Sequence, residues 1–209
     1  SVLEGRDFVF AVMAEKLSSS RAVISCRSLD LVDYPEGKYD LSLVRGTIVN
    51  SGYIVESLDG VVFVSLFEQV DLGGSIPSFI AERALAALPS KLAKLQDALA
   101  AYKPSKPAVE KPVKVEEAPN AEPASKQESV VEQSTAPVLS DEGKRMMKIG
   151  LDAQKTLLAF ENDKSFKSKG MSGPVELSIR PQNGNEMQVV CGKMNWGHNY
   201  TISQVMEYL

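Results

Sequence analysis

The first half of the sequence predicts an α+β fold, an antiparallel sheet followed by one long helix, and three observations carry that prediction. Apolar and β-branched segments recur from Phe8 to Val70. Short turn signals separate them, as expected of sequential antiparallel strands. A 3.6-period apolar stripe then runs through Ile80, Ala84, Leu88, Leu92, Leu95 and Leu99, with Leu85 beside it.

The elements follow in order. "FVFAVMA" (Phe8 to Ala14) is an unbroken apolar run, expected as a strand buried on both faces. "EKLSSS" reads as a turn, and "AVISC" (Ala22 to Cys26) as a second strand. Pro35 and Gly37 mark a loop. "VRGTIV" and "YIVES", joined by "NSG", are expected as a hairpin. Asp59-Gly60 is a strong tight-turn signal leading into "VVFVSLFEQV". Gly73-Gly74 then hands over to the helix, with Ser75 suited to its N-cap and Pro77 to its first turn. From Pro77 to Ala101 that helix would be ~37 Å long. Pro89 should bend it, because its ring removes the bond to the Leu85 carbonyl.

Composition then changes. Residues 103–140 contain six prolines, mixed charges, no glycine and no aromatic. Such a stretch buries too little apolar surface to offset the entropy of ordering, and is expected to be a disordered linker. Residues 141–209 become globular again. Ser140 should cap a helix carrying Met147, Leu151, Gln154, Leu157, Leu158 and Phe160 on its mostly apolar side. "VELSIRP", the turn "QNGN" and "EMQVVCGKM" read as a strand, a hairpin turn and a returning strand. Thr201 should cap a last helix. The absence of an initiator Met and an ending on Tyr208-Leu209 within a helix suggest a fragment.

The totals exclude several functions. The chain has 209 residues, a formal net charge of -4 and no Lys/Arg cluster, so nucleic acid is not an expected partner. No apolar run reaches the ~18 residues of a membrane span. Two distant cysteines, Cys26 and Cys191, argue against a disulfide scaffold and for a reducing compartment. His198 is the single histidine, so no His-rich metal site can form. "DLGGS" lacks the Gly-Lys-Ser/Thr of a phosphate loop, and no "GxSxG" elbow is present. No catalytic group, metal site or cofactor is called for, and the expectation is a non-enzyme.

The ordered set "GRDFVF…VRGTIVNSGYIVESL…VDLGGSIPSFIAERAL" resembles the C-terminal half of a START domain, the lipid-transfer family named after the steroidogenic acute regulatory protein. The series "DKSFKSK…GPVELSIRP", "NEMQVVCGKM" and "TISQVMEYL" is similar to the opposite end of that family, with Phe166 where a tryptophan is usual. The expected organisation is therefore residues 1–102 as the C-terminal part of one START-like domain, 103–140 as linker, and 141–209 as the N-terminal part of a second. A second arrangement stays open, in which 141–209 fold back and complete 1–102 as a permuted domain.

The resemblance implies a helix-grip fold, a curved antiparallel sheet around a long C-terminal helix, here in incomplete copies. It implies a tunnel beneath that helix that binds and transfers a lipid or sterol without catalysis. The alternative is a scaffold module, within a tandem START protein, whose pocket is filled by its own side chains. Strand parity places Phe8, Phe10 and Val12 on one tunnel wall and Phe63, Ser65 and Phe67 on another. The helix would add Ile76, Phe79, Ile80, Arg83, Ala84 and Ala87. Several family members carry a head-group arginine where this chain has Val12, so a less polar ligand or a different anchor is expected. Arg6 and Asp7 are expected to pair with each other at the strand entrance. The implied partners are the ligand and a transient membrane surface, and the implied location is cytoplasmic, peripheral to membranes.

Overall fold

A computed structural model of the chain describes residues 5–38, 40, 42–77, 80, 83–84, 87–102, 140–184 and 186–209. The linker assigned to 103–140 lies outside them, apart from Ser140. The strands are β1 (Arg6–Asp7), β2 (Phe10–Ser18), β3 (Arg21–Ser28), β4 (Val44–Arg45), β5 (Thr47–Leu58), β6 (Val61–Asp71), β7 (Lys167–Ser172), β8 (Val175–Arg180) and β9 (Val189–Gly197). The helices are α1 (Lys91–Ala101), entered through a 3₁₀ turn at Leu88–Ser90, α2 (Asp141–Glu161) and α3 (Ile202–Tyr208). Seven strands form one antiparallel sheet in the order β2-β3-β5-β6-β9-β8-β7, and the class is α+β.

The sheet passes from the first segment into the second without a break. β6 pairs with β9 from Val62 to Glu68. The physical cause lies in β6, which is buried from Val64 to Val70. A strand buried so fully cannot leave one edge of its N–H and C=O groups unpaired. The apolar run "VVCGKM" supplies the partner edge.

Each face of the sheet has its own cover. On one face Val55, Val62, Val64, Leu66, Met194 and Trp196 meet Leu92 and Leu99 of α1 and Ile202 and Val205 of α3. On the other, Val23, Ile54, Phe67 and Val189 meet Leu157 and Phe160 of α2. Two of the expected caps form: Ser140 Oγ accepts from Gly143 N at 3.1 Å, and Thr201 makes a reciprocal capping box with Gln204. The Asp59-Gly60 turn joins β5 to β6 with both residues at positive φ.

Several local expectations are corrected. "NSG" is not a turn: β5 runs through it, because Asn50 Nδ2 donates to Gln69 Oε1 across the ladder and Gly52 lets Leu157 approach. The strand at Phe8 to Ala14 is not buried on both faces. β2 is an edge strand that continues to Ser18, and Phe10 and Val12 are exposed. On α2 the buried residues are Gly150, Ala153, Gln154, Leu157 and Phe160, whereas Met147 and Leu151 are exposed. β7 has no apolar alternation and was not expected. Arg6 and Asp7 do not pair with each other. Arg6 Nε donates to Leu72 O at 3.1 Å. Asp7 takes a two-pronged bond from Arg45, at 3.0 and 2.8 Å. The parallel β1–β4 pair thus ties "RDFV" to "VRG", and the guanidinium holds the Asp7 carboxyl below the usual carboxylate range.

Candidate functional site

The turn at Leu88–Ser90 decides where α1 lands. Pro89 is buried and sits directly on β9 at Gly192. A Cβ at Gly192 would lie 2.4 Å from Pro89 Cβ, so only glycine leaves room for this seat. From there α1 has two parts. Leu92 and Leu99 press into the core over β5, β6 and β9. The residues before them, Leu88 and Lys91, instead border open space.

That space is a cavity of about 370 Å³, within the ~300–1,000 Å³ usual for small-molecule sites. Phe8, Phe10, Ile48, Leu66, Val70 and Leu72 supply much of its apolar wall. Its polar groups cluster along one cross-strand row. Cys26 pairs with Ser51, and Ser51 with Glu68. Directly paired residues share a sheet face, so all three side chains line the same floor. Glu68 is 4% exposed, and its Oε1 accepts from Lys91 Nζ at 2.5 Å. Glu68 Oε2 and Ser51 Oγ are buried and have no hydrogen-bond partner among the described residues. Tyr53 also lines the cavity.

Burial sets the electrostatics. It pushes the Glu68 carboxyl above its usual range, and Lys91 opposes this only in part. It raises Cys26, and raises the Tyr53 phenol strongly, with the Glu68 charge adding to both. Cys191 is pushed up to about 11, also by burial. Neither thiol has the lowered pKa of a nucleophile.

Glu68 carries a stability consequence. Its folded pKa lies above its unfolded one, so the unfolded chain gives up the proton first. Stability is therefore full below the unfolded carboxylate pKa and falls as pH rises toward the folded value. Lys91, Tyr53 and Cys26 are the titratable groups that couple to it. Glu68→Gln is expected to melt higher than wild type at neutral pH, by ~2–4 °C per kcal/mol of penalty removed, and to lose that advantage below the carboxylate range. Thermal melts across pH check this; a gap that widens toward acid would contradict it.

The sequence-derived wall is placed unevenly. Phe8 and Phe10 line the cavity, and Val12 shares their face but is exposed at the edge. Phe63, Ser65 and Phe67 lie on the opposite face from α1. Phe67 stacks near Phe160 and Phe166, with ring centroids 6.1 and 6.0 Å away, and Phe63 lies under Lys193. Ile76 and Ile80 are half-buried, and Arg83, Ala84 and Ala87 are exposed and not among the lining residues. Phe79 and the start of the expected helix near Ser75 fall on or beside residues outside those described. Ser51, Glu68 and Lys91 were missed. Their signal was a carboxylate inside the apolar run "SLFEQV" and a lysine two residues after Pro89.

An apolar cavity with one half-buried ion pair at its floor has the lining usual for sites that take small, largely apolar molecules. Residues 1–101 match the model of the START domain family. START domains are in general lipid-binding modules without catalysis. All the residues that line the cavity fall within the match, which ends at the last residue of α1. Neither a curated protein nor a solved structure matches the chain.

Proposed function

We propose that the chain binds a lipid or sterol in this cavity and transfers it between membranes without catalysis. The observation that carries the reading is the apolar cavity bounded by Phe8, Phe10, Leu66, Val70, Leu72 and Leu88 at the N-terminal end of α1. Burying ligand area there is worth ~25 cal/mol per Å², so no covalent or acid–base step is required. Entry and exit would proceed past Leu88 and Lys91, with Ile76 and Ile80 forming part of a helix-grip tunnel. Arg83, Ala84 and Ala87 would face the membrane during exchange. The exposed Phe10 and Val12 support transient contact with a membrane surface, since large apolar side chains sit there unburied. No described helix is long and apolar enough to cross a membrane, and a cytoplasmic protein peripheral to membranes fits this reading.

In the same reading, residues 1–102 are the C-terminal part of one START-like domain and 141–209 the N-terminal part of a second, joined by the 103–140 linker. The β6–β9 pairing is then the contact through which one part completes the sheet of the other. A scaffold role has one observation in its favour: Leu92 and Leu99 fill the space beneath most of α1 with the chain's own side chains.

The test is direct. The purified protein is extracted with organic solvent and the extract analysed by mass spectrometry. Its uptake of labelled lipid from vesicles is measured alongside. A stoichiometric apolar ligand or saturable uptake is expected; a protein that carries none and takes up none is the scaffold.

A further inference from the structure

The two outer strands of the seven-stranded sheet are built differently. β7 carries Lys167 and Lys169, a bulge between Ser168 and Gly170, and Gly170 at a φ of 86°. Lysines and bulges of this kind keep an outer strand from pairing with another chain. β2 has such features only at its hairpin end, where Lys16 and a bulge between Lys16 and Ser18 lie. From Phe10 to Ala14 it carries no charge, proline or glycine. Among the described residues nothing pairs with its second edge. Leu29 N donates to Val9 O at 3.0 Å, so the odd-numbered residues of this ladder bond to β3. The alternation of an antiparallel pair then turns the N–H and C=O groups of Phe10, Val12, Ala14 and Lys16 outward. Apolar side chains flank this open row. Phe10 and Val12 are exposed on one face of the sheet, and Met147 and Leu151 of α2 are exposed on the other. Met147 and Leu151 share a side of their helix with Gln154, whose Nε2 donates to Glu15 Oε2 on β2 at 2.6 Å. That side of α2 therefore faces the open edge.

We propose that β2 is a dimer interface whose occupant is β2 of a second copy of this chain, paired antiparallel about a two-fold axis at Met13. Residues directly opposite share a sheet face, so a two-fold pairing joins positions of like parity. Centred on Met13, it sets Phe10 opposite Lys16 of the second copy, Ala11 opposite Glu15 and Val12 opposite Ala14. The outward groups of Phe10, Val12, Ala14 and Lys16 are then all met, by about eight main-chain hydrogen bonds. The side chains agree with this register. Lys16 can set its ammonium over the Phe10 ring, the branched Val12 lies beside the small Ala14, and no like charges stand opposite. Centring on Glu15 or Lys16 would oppose like charges, which is destabilising. Centring on Ala14 would carry Phe10 onto Ser18, beyond the bulge. On one face the joint brings the exposed Phe10 and Val12 of both copies into a single row, which stays open to a membrane. Because Phe10 lines the cavity, Lys16 of the second copy joins its rim. On the other face Met147 and Leu151 of the two α2 helices converge toward the axis.

The pairing depends on no ligand, and the full chain tests it. Size-exclusion chromatography with light scattering is run from ~1 to ~100 μM, the range in which a small interface dissociates. Twice the mass of one chain is expected at the upper end. Ala14→Pro removes an outward N–H and leaves the bonds to β3 in place, since proline is tolerated where a strand's N–H faces solvent. Val12→Lys puts a cation diagonal to Lys16 of the second copy. Each variant should weaken dimerisation at least ~10-fold, with circular dichroism confirming that it folds. Met13→Cys should form a disulfide-linked dimer under mild oxidation. Opposed residues of a non-hydrogen-bonded pair have Cα atoms ~4.5 Å apart, within disulfide reach. Wild type, whose Cys26 and Cys191 lie on β3 and β9, should not cross-link. A single-chain mass at every concentration overturns the proposal and leaves the edge to a strand of another protein. A dimer that survives both edge variants and does not cross-link through Met13→Cys overturns it too, and places the contact elsewhere.

Discussion

Gly192→Leu should lower the melting temperature by roughly 6–12 °C and weaken ligand uptake with it. A Cβ at this position meets Pro89 Cβ at 2.4 Å, Val175 Cγ1 at 3.1 Å and Pro89 Cα at 3.3 Å. A proline ring and a backbone carbon cannot rotate away as the end of a flexible side chain can. The Leu88–Ser90 turn must lift, and α1 must lift with it. Overpacking of this kind costs ~1–3 kcal/mol, and disturbing the seat of the fully buried Leu92 takes the loss to the upper end. At ~2–4 °C per kcal/mol the predicted fall follows. Gly192→Ala should show a smaller shift of the same sign. Because Lys91 follows the turn, the Lys91–Glu68 contact should loosen too, and ligand uptake should drop in parallel with stability. Calorimetry and a vesicle uptake assay check the pair of effects. An unchanged melting temperature would mean that Pro89 does not rest on β9.

The second large effect is expected from filling the cavity. Cys26→Trp puts an indole at the edge of the floor row formed with Ser51 and Glu68. Cys26 is only half-buried and borders open space, so the larger side chain has somewhere to go. Stability should change by less than ~1 kcal/mol, as for other substitutions that make no core clash. Binding should suffer far more. An aromatic side chain buries ~150–250 Å², and ligand area displaced on that scale is worth ~4–6 kcal/mol at ~25 cal/mol per Å². Affinity for an apolar probe should therefore fall at least ~100-fold. A folded Cys26→Trp protein that binds lipid as wild type does would move the ligand to another site.

Much of the fold was legible because its signals are local. The Asp59-Gly60 turn, the caps at Ser140 and Thr201, and the apolar stripe through Leu92 and Leu99 depend on neighbours within a turn or two of chain. The misreadings share the opposite cause. "NSG" looks like a turn only while the pairing of Asn50 with Gln69 and the approach of Leu157 are unknown. Phe8 to Ala14 looks buried on both faces only while nothing shows that β2 is an edge. The choice of Phe63, Ser65 and Phe67 followed from alternation, which separates the two faces of a strand but does not say which face a given helix will cover. In β6 both faces are apolar, so residue type could not break the tie, and the larger aromatic side chains pointed to the face that α2 occupies.

The sequence by itself determined the α+β class, most of the element order and the family resemblance over the first segment. Those are matters of composition, period and motif order, all carried along the chain. Tertiary structure alone decided three things. It joined β6 to β9, a pairing between residues more than a hundred positions apart that no local propensity encodes. It seated Pro89 on Gly192, turning an expected bend into the contact that positions α1. And it brought Ser51, Glu68 and Lys91 to one floor. Each is polar in an otherwise apolar stretch and unremarkable alone. The site appears only when the ladder register places Ser51 opposite Glu68 and the seated turn delivers Lys91 above them.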